Sequence, residues 1–209
     1  MSDTLTTREK RSLLKNFSGY TFVLIFIAIF IAYLITNGGA TTWNGVMNIL
    51  RHSAVVGIMA YGMGLVILTG DIDLSVGAIL PLVGGLSVMV FNATDNVLLT
   101  LVCALAMGAV CGFINGALVG YAKMPAFIVT LSTMLIYRSL SQYTLRIQGQ
   151  SIYNMNGTLP SYDSFYGFGQ SKLASIPSVG LVFIAITVLM VFIATSTKFG
   201  KSVYAIGSN

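Results

Sequence analysis

Six long apolar runs separated by short polar knots divide this chain. The first covers 17–36 and holds no charged residue, proline or asparagine. At about 1.5 Å of rise per residue it reaches across the roughly 30 Å hydrocarbon layer of a bilayer. A polar stretch at 37–44 then predicts a turn, with Trp43 suited to a membrane interface, and a second uncharged run at 53–70 predicts a span that starts before Arg51. Asp71 and Asp73 interrupt the pattern before a third run, 74–92. Pro81 lies inside that run, lacks a backbone donor, and predicts a kinked or broken helix. The knot at 92–96 closes it, a fourth run at 97–122 ends at Lys123, and Met124-Pro125 opens a fifth that stops at Tyr137, short enough to be tilted or incompletely spanning. Residues 147–177 are rich in Gly, Ser, Asn, Tyr and Pro and read as a solvent-side excursion before a sixth run at 179–197.

This pattern predicts an all-α fold, a polytopic transmembrane helical bundle with about six membrane segments. It forms one domain over 1–209: a cytoplasmic N-terminal segment at 1–16, helices and loops at 17–197, and the start of a cytoplasmic loop at 198–209. Composition agrees. Hydrophobic residues make up 56% of the chain, charged residues 8%, and the mean hydropathy is +0.85. A soluble domain carries about 25% charged residues, so lipid is the expected solvent and partner.

The net charge of +5 does not point to nucleic acid, because the basic residues form no patch interleaved with aromatics. Arg8, Lys10, Arg11 and Lys15 precede the first run, Lys123 sits between two runs, and Lys198 and Lys201 follow the last. With six spans all of these fall on one side, which predicts a multi-pass inner-membrane protein with a cytoplasmic N-terminus. Arg51, Arg138 and Arg146 lie near the opposite boundary and fit that orientation less well. The first run lacks a following small-residue cleavage site and reads as a retained helix. Cys103 and Cys111 are eight residues apart on one helical stretch, about 12 Å along its axis, too far for a disulfide.

The most informative segment is Leu68-Thr69-Gly70-Asp71-Ile72-Asp73-Leu74-Ser75-Val76-Gly77. Carboxylates near a membrane need a partner or a wet setting. Gly70 can end the preceding helix, and Asp71 or Asp73 can cap the next by accepting backbone N–H bonds. Alternatively, Gly70, Asp71, Asp73, Ser75 and Gly77 line or gate a solute path at a helix break. Neighbouring apolar runs offer no His, Glu or third carboxylate, so no metal site is expected. In the fourth run Gly108, Gly112, Gly116 and Gly120 recur every fourth residue, with Asn115 beside them, a stripe that predicts close helix packing. His52, the sole histidine, is adjacent to Ser53 in sequence and makes no catalytic arrangement, and no paired-aspartate intramembrane protease motif is present. The chain reads as a non-enzyme. No G-x-x-x-x-G-K-[ST] loop occurs, so ATP would be bound by a partner.

Three segments resemble the permeases of ribose, galactose, xylose and autoinducer-2 type ABC importers. Residues 69–77 are similar to the family's T-G-G-I-D-L-S-V-G, departing at Asp71. Gly112-Phe113-Ile114-Asn115-Gly116 followed by Pro125-Ala126-Phe127-Ile128-Val129-Thr130-Leu131 resembles G-x-x-N-G and P-x-F-I-x-T-L. Residues 197–209, with Gly200, Gly207 and Asn209, are similar to T-x-x-G-r-x-i-y-A-i-G-g-N and fall near the loop that couples such permeases to their ATPase. The resemblance implies a permease forming the path for a sugar, binding no cofactor itself. It would work with a second permease subunit, cytoplasmic ATPase subunits that use ATP, and a periplasmic sugar-binding protein. Such permeases have about ten membrane helices, so a C-terminally truncated form is expected here. The alternative expectation is a membrane scaffold, or a remnant of such a permease, that transports nothing.

Overall fold

The computed structural model describes residues 7–36, 42–148 and 154–207. The chain divides into two compact units, Met1–Asn48 and Ile49–Asn209. In the first, α1 (Thr7–Thr36) begins ten residues before the apolar run, so part of the segment expected to precede the membrane is already helical. Its side chains from Tyr20 onward are almost all exposed, as lipid-facing residues are in a bare chain. Thr36 ends the helix by donating its hydroxyl to Ala32 O.

α2 (Trp43–Leu68) starts in the first unit and continues through the second. Thr42 caps it: Gly45 N donates to Thr42 O at 2.8 Å and to Thr42 Oγ1 at 3.3 Å. The helices α3 (Val76–Thr94), α4 (Val97–Gly120) and α5 (Ala126–Gln148) follow. Among the described residues four helices are long and apolar enough to cross a membrane: α2, α3, α4 and, further on, Ser178–Ser196. The other two expected spans are helical as well, but the described apolar part of α1 (Tyr20–Thr36) is shorter, and α5 is diluted by Arg138, Ser139, Ser141 and Gln142.

Several local expectations are corrected. Of the kinked or broken helix expected at Pro81, the broken form does not occur: α3 runs unbroken through Pro81, and the break falls before it, at 69–75, where two carboxylates and a glycine concentrate. α5 does not stop before Arg138 but continues to Gln148, because the polar residues there are good enough helix formers to extend a helix out of the apolar layer. The excursion at 147–177 contains α6 (Tyr162–Gln170) and a small hairpin of β1 (Lys172–Leu173) and β2 (Ile176–Pro177). Ala174 and Ser175 take φ of 49° and 71°, the pair of positive values that a two-residue hairpin turn requires.

The sixth span is α7 (Ser178–Ser196). What was expected as the start of a loop is a further helix, α8 (Lys198–Gly207). Thr197 makes this possible by leaving helical geometry (φ −99°, ψ 158°) and accepting Gly200 N on Oγ1 and Lys201 N on its carbonyl. Gly200 lies where a side chain would collide with the carbonyls of Ile193 and Ala194. Gly207 lies against the Leu68 carbonyl, so α8 ends beside the end of α2. Asn209 lies outside the described residues.

α3 is the centre of the second unit, packed on α4 and α5. Ala78, Leu82, Cys111 and Tyr137 form the buried cluster, with Ile79, Leu86 and Met134 against it. Tyr137 donates its hydroxyl to the Cys111 carbonyl at 3.1 Å, so the one strongly polar atom of the cluster is satisfied. Cys103 and Cys111 are both free. Elsewhere Tyr61 on α2 donates to Thr187 Oγ1 on α7 at 2.9 Å.

The knot after α3 has a task the sequence did not announce. Asn92 accepts Asn156 N on Oδ1 at 2.8 Å and donates from Nδ2 to Asn154 O at 3.1 Å. Asp95 accepts Ser161 N on Oδ1 and Ser161 Oγ on its carbonyl. The rings of Phe91 and Phe165 stand 5.5 Å apart. Together these contacts fasten the excursion to the α3–α4 turn.

Candidate functional site

The break between α2 and α3 is built by local backbone chemistry. Gly70 N donates to Ile67 O and Asp71 N donates to Val66 O, the paired closing bonds of a Schellman motif. The motif needs a left-handed residue between them, and Gly70 supplies it with φ +87°. The expectation that Gly70 ends the helix therefore has a specific mechanism. Thr69 folds its hydroxyl back onto Val66 O at 2.7 Å.

Residues 71–75 then run without regular structure into α3. Asp73 Oδ1 accepts both Ser75 N (2.8 Å) and Ser75 Oγ (2.6 Å), an Asx turn reinforced by a hydroxyl. Ser75 holds the N-cap position of α3, yet its side chain makes no cap bond; its hydroxyl donates to Asp73 and its oxygen faces Asn115 instead of the first turn of the helix. Its carbonyl instead accepts Ala78 N and Ile79 N. Capping by Asp73 thus acts one step upstream, by fixing the residue from which the helix starts.

Ser75 is fully buried, and its Oγ accepts Asn115 Nδ2 at 2.7 Å. This hydrogen bond joins residues 40 apart in sequence and docks α4 onto the break. Asn115, expected among the packing residues of the stripe, is therefore a polar partner of the break. Thr130 on α5 donates to Ile72 O at 3.2 Å, adding the third helix. Thr130 was not singled out as a site residue, although it stands in the P-x-F-I-x-T-L-like segment as a hydroxyl inside an apolar run.

These elements surround a cleft of about 290 Å³. Thr69, Asp71 and Asp73 line it from the break, Gly112, Asn115, Gly116 and Gly120 from α4, and Thr130 from α5. Asp71 is exposed and Asp73 half-buried. Gly70, Gly77 and Gly108 do not line it. Among the described residues nothing covers the glycine stripe: a Cβ at Gly108, Gly112, Gly116 or Gly120 would meet nothing within 4 Å. Three of the four instead leave one wall of the cleft bare of side chains.

One atom of the site is unsatisfied. Asn115 is 5% exposed, and its Oδ1 is buried with no hydrogen-bond donor among the described residues. Such an orphan costs about 1–3 kcal/mol. Among the described residues no three His, Cys, Asp or Glu side chains gather as a metal site would require.

A helical membrane protein whose second unit carries a broken helix, polar at the break and opening on a cleft, has the architecture of a transport protein. The chain belongs to the family described as "Branched-chain amino acid transport system / permease component", which matches residues 45–209. It is 36% identical to the ribose import permease protein RbsC of Escherichia coli K12 over 173 residues, which are 80% of this chain and 51% of that protein. It is 34% identical to the ribose import permease protein RbsC of Bacillus subtilis 168 over 217 aligned positions, 100% of this chain and 63% of that protein. It is also 40% identical to the xylose transport system permease protein XylH of E. coli K12 over 131 residues, 61% of this chain and 33% of that protein. The chain spans about half the length of the curated ribose permease from E. coli. No solved structure matches it significantly. The family is one of transporter permeases and not a class of enzymes.

Proposed function

We propose that this chain belongs to the permease subunit of an ATP-driven importer and forms part of the translocation path for a ribose-like monosaccharide in the bacterial inner membrane. The observation that carries this reading is the placement of the family-like segment 69–77: it breaks a helix and lines a cleft with two carboxylates, in a chain similar to ribose and xylose permeases. The family description names branched-chain amino acids, but the relatives cited above are sugar permeases, which favours a sugar.

In this reading the chain binds no cofactor. ATP is used by cytoplasmic ATPase subunits, a second permease copy completes the membrane part, and a periplasmic sugar-binding protein delivers the solute. The N-terminus is cytoplasmic, as the distribution of lysine and arginine favours. The cleft then opens at the cytoplasmic end, since its lining residues Gly120 and Ala126 flank Lys123. α8 lies at the same end, because Gly207 abuts the Leu68 carbonyl.

Uptake of radiolabelled ribose, xylose and leucine in the native host, with the gene deleted and then restored, tests the proposal. Deletion is expected to abolish uptake of one sugar and leave leucine uptake unchanged, and restoration with Asp73→Ala is expected to insert into the membrane without recovering uptake. Loss of leucine uptake with both sugars unaffected would overturn the reading.

A further inference from the structure

The hydrogen-bond directions around the cleft are determined by counting protons. Ser75 has one hydroxyl proton, and it goes to Asp73 Oδ1, a carboxylate oxygen that can only accept. Ser75 Oγ must therefore accept from Asn115, which turns the Asn115 amide nitrogen toward Ser75 and leaves Oδ1 as the free end of the relay. The other hydroxyls at the cleft are spent in the same way. Thr69 donates to Val66 O and Thr130 donates to Ile72 O. What remains on the side chains is acceptor capacity: the Asp71 and Asp73 carboxylates and the buried Asn115 Oδ1. No lysine or arginine is among the lining residues.

We infer that Asn115 Oδ1 is the receiving atom of a subsite for hydroxyl donors in this cleft, and that the subsite takes neutral polyhydroxylated solutes and rejects anionic ones. A hydroxyl entering between the 71–73 segment and α4 supplies the proton that Asn115 Oδ1 lacks. A phosphorylated or carboxylated solute brings a negative charge against two carboxylates, with no lysine or arginine among the lining residues to offset it. The bare wall at Gly112 and Gly116 gives a sugar ring room beside Asn115. The relay through Ser75 to Asp73 holds the amide in the accepting orientation, so Ser75 acts as a positioning residue. This inference rests on the permease reading and refines it by naming the receiving atom and the anionic solutes it turns away.

The test is a direct one on the full chain in lipid nanodiscs, with the asparagine side-chain carbonyl carbons labelled and the Asn115 resonance assigned by its loss in Asn115→Leu. D-ribose is expected to move the Asn115 resonance, and ribose 5-phosphate to leave it in place. Ser75→Ala is expected to weaken the response to D-ribose while the chain stays folded, as the remaining asparagine resonances report. An Asn115 resonance that ignores D-ribose, or follows the phosphorylated sugar equally, overturns the subsite. A resonance that senses water exchange but not D-ribose assigns the acceptor to water alone and overturns it too. Because no transport is needed, failure here with normal sugar uptake in the host removes the subsite only, whereas loss of the uptake result removes the permease reading.

Discussion

Gly70 shows how much one residue decides. Its φ of +87° closes the Schellman motif that stops α2 and starts the irregular segment. An alanine there carries a Cβ into the left-handed region, at a cost of about 1–2 kcal/mol. There is open space around the position, so the penalty is conformational and not a clash. Gly70→Ala is expected to lower the thermal unfolding midpoint of the detergent-solubilised chain, whereas Gly77→Ala, on a helical glycine with equally open surroundings, should leave it unchanged or raise it. Equal behaviour of the two would contradict the assignment. Gly70 was legible from sequence because a glycine between an apolar run and a carboxylate has few other uses. Asn115 was marked by its G-x-x-N-G-like segment, but its role was not legible, since its partner Ser75 is 40 residues away and nothing local distinguishes a relay member from a packing residue.

Among the elements, the excursion at 147–177 departs furthest from expectation. Its composition reads as a solvent-side excursion, yet it holds α6 and a hairpin, and the end of α3 grips it through Asn92 and the C-cap Asp95. Asn92→Ala removes the hydrogen bonds to Asn156 N and Asn154 O. At about 1 kcal/mol each, their loss should raise local opening of this segment roughly thirty-fold. Amide hydrogen exchange of residues 154–161 is the appropriate readout, and unchanged protection there would show that the clamp lies elsewhere. The same partnering separates α8 from the loop expected in its place. The run from Lys198 is polar enough to read as loop, but Thr197 caps a new helix and Gly200 allows it to turn tightly against the end of α7.

For the whole molecule, the arrangement of ends is the testable property. Lys123 sits at the turn between α4 and α5, whereas α6 belongs to the excursion fastened at the α3–α4 turn, the opposite end of α4. In a chain freed of Cys103 and Cys111 by alanine, cysteines at the exposed positions Lys123 and Lys201 are expected to react with a membrane-impermeant thiol reagent only after permeabilisation. A cysteine at exposed Asp163 should react in intact spheroplasts. Labelling of 123 and 163 from the same side would refute both the span assignment and the proposed orientation.

What the amino-acid sequence determined alone was the solvent and the segmentation. Unbroken apolar runs of about twenty residues admit only helices in lipid, because no water is there to satisfy an open backbone. All six apolar runs are helical, the short fifth one included, and the ends of α3 and α4 fall at the knots that mark them. The tertiary structure alone decided what the polar residues between and within those runs do. Asp73, Ser75, Asn115 and Thr130 come from three separate stretches of chain, and their hydrogen-bond directions depend on which of them meet. A glycine stripe likewise announces only missing side chains; whether that absence admits another helix or opens a cleft depends on what the fold places opposite, and here three of the four glycines face a cleft.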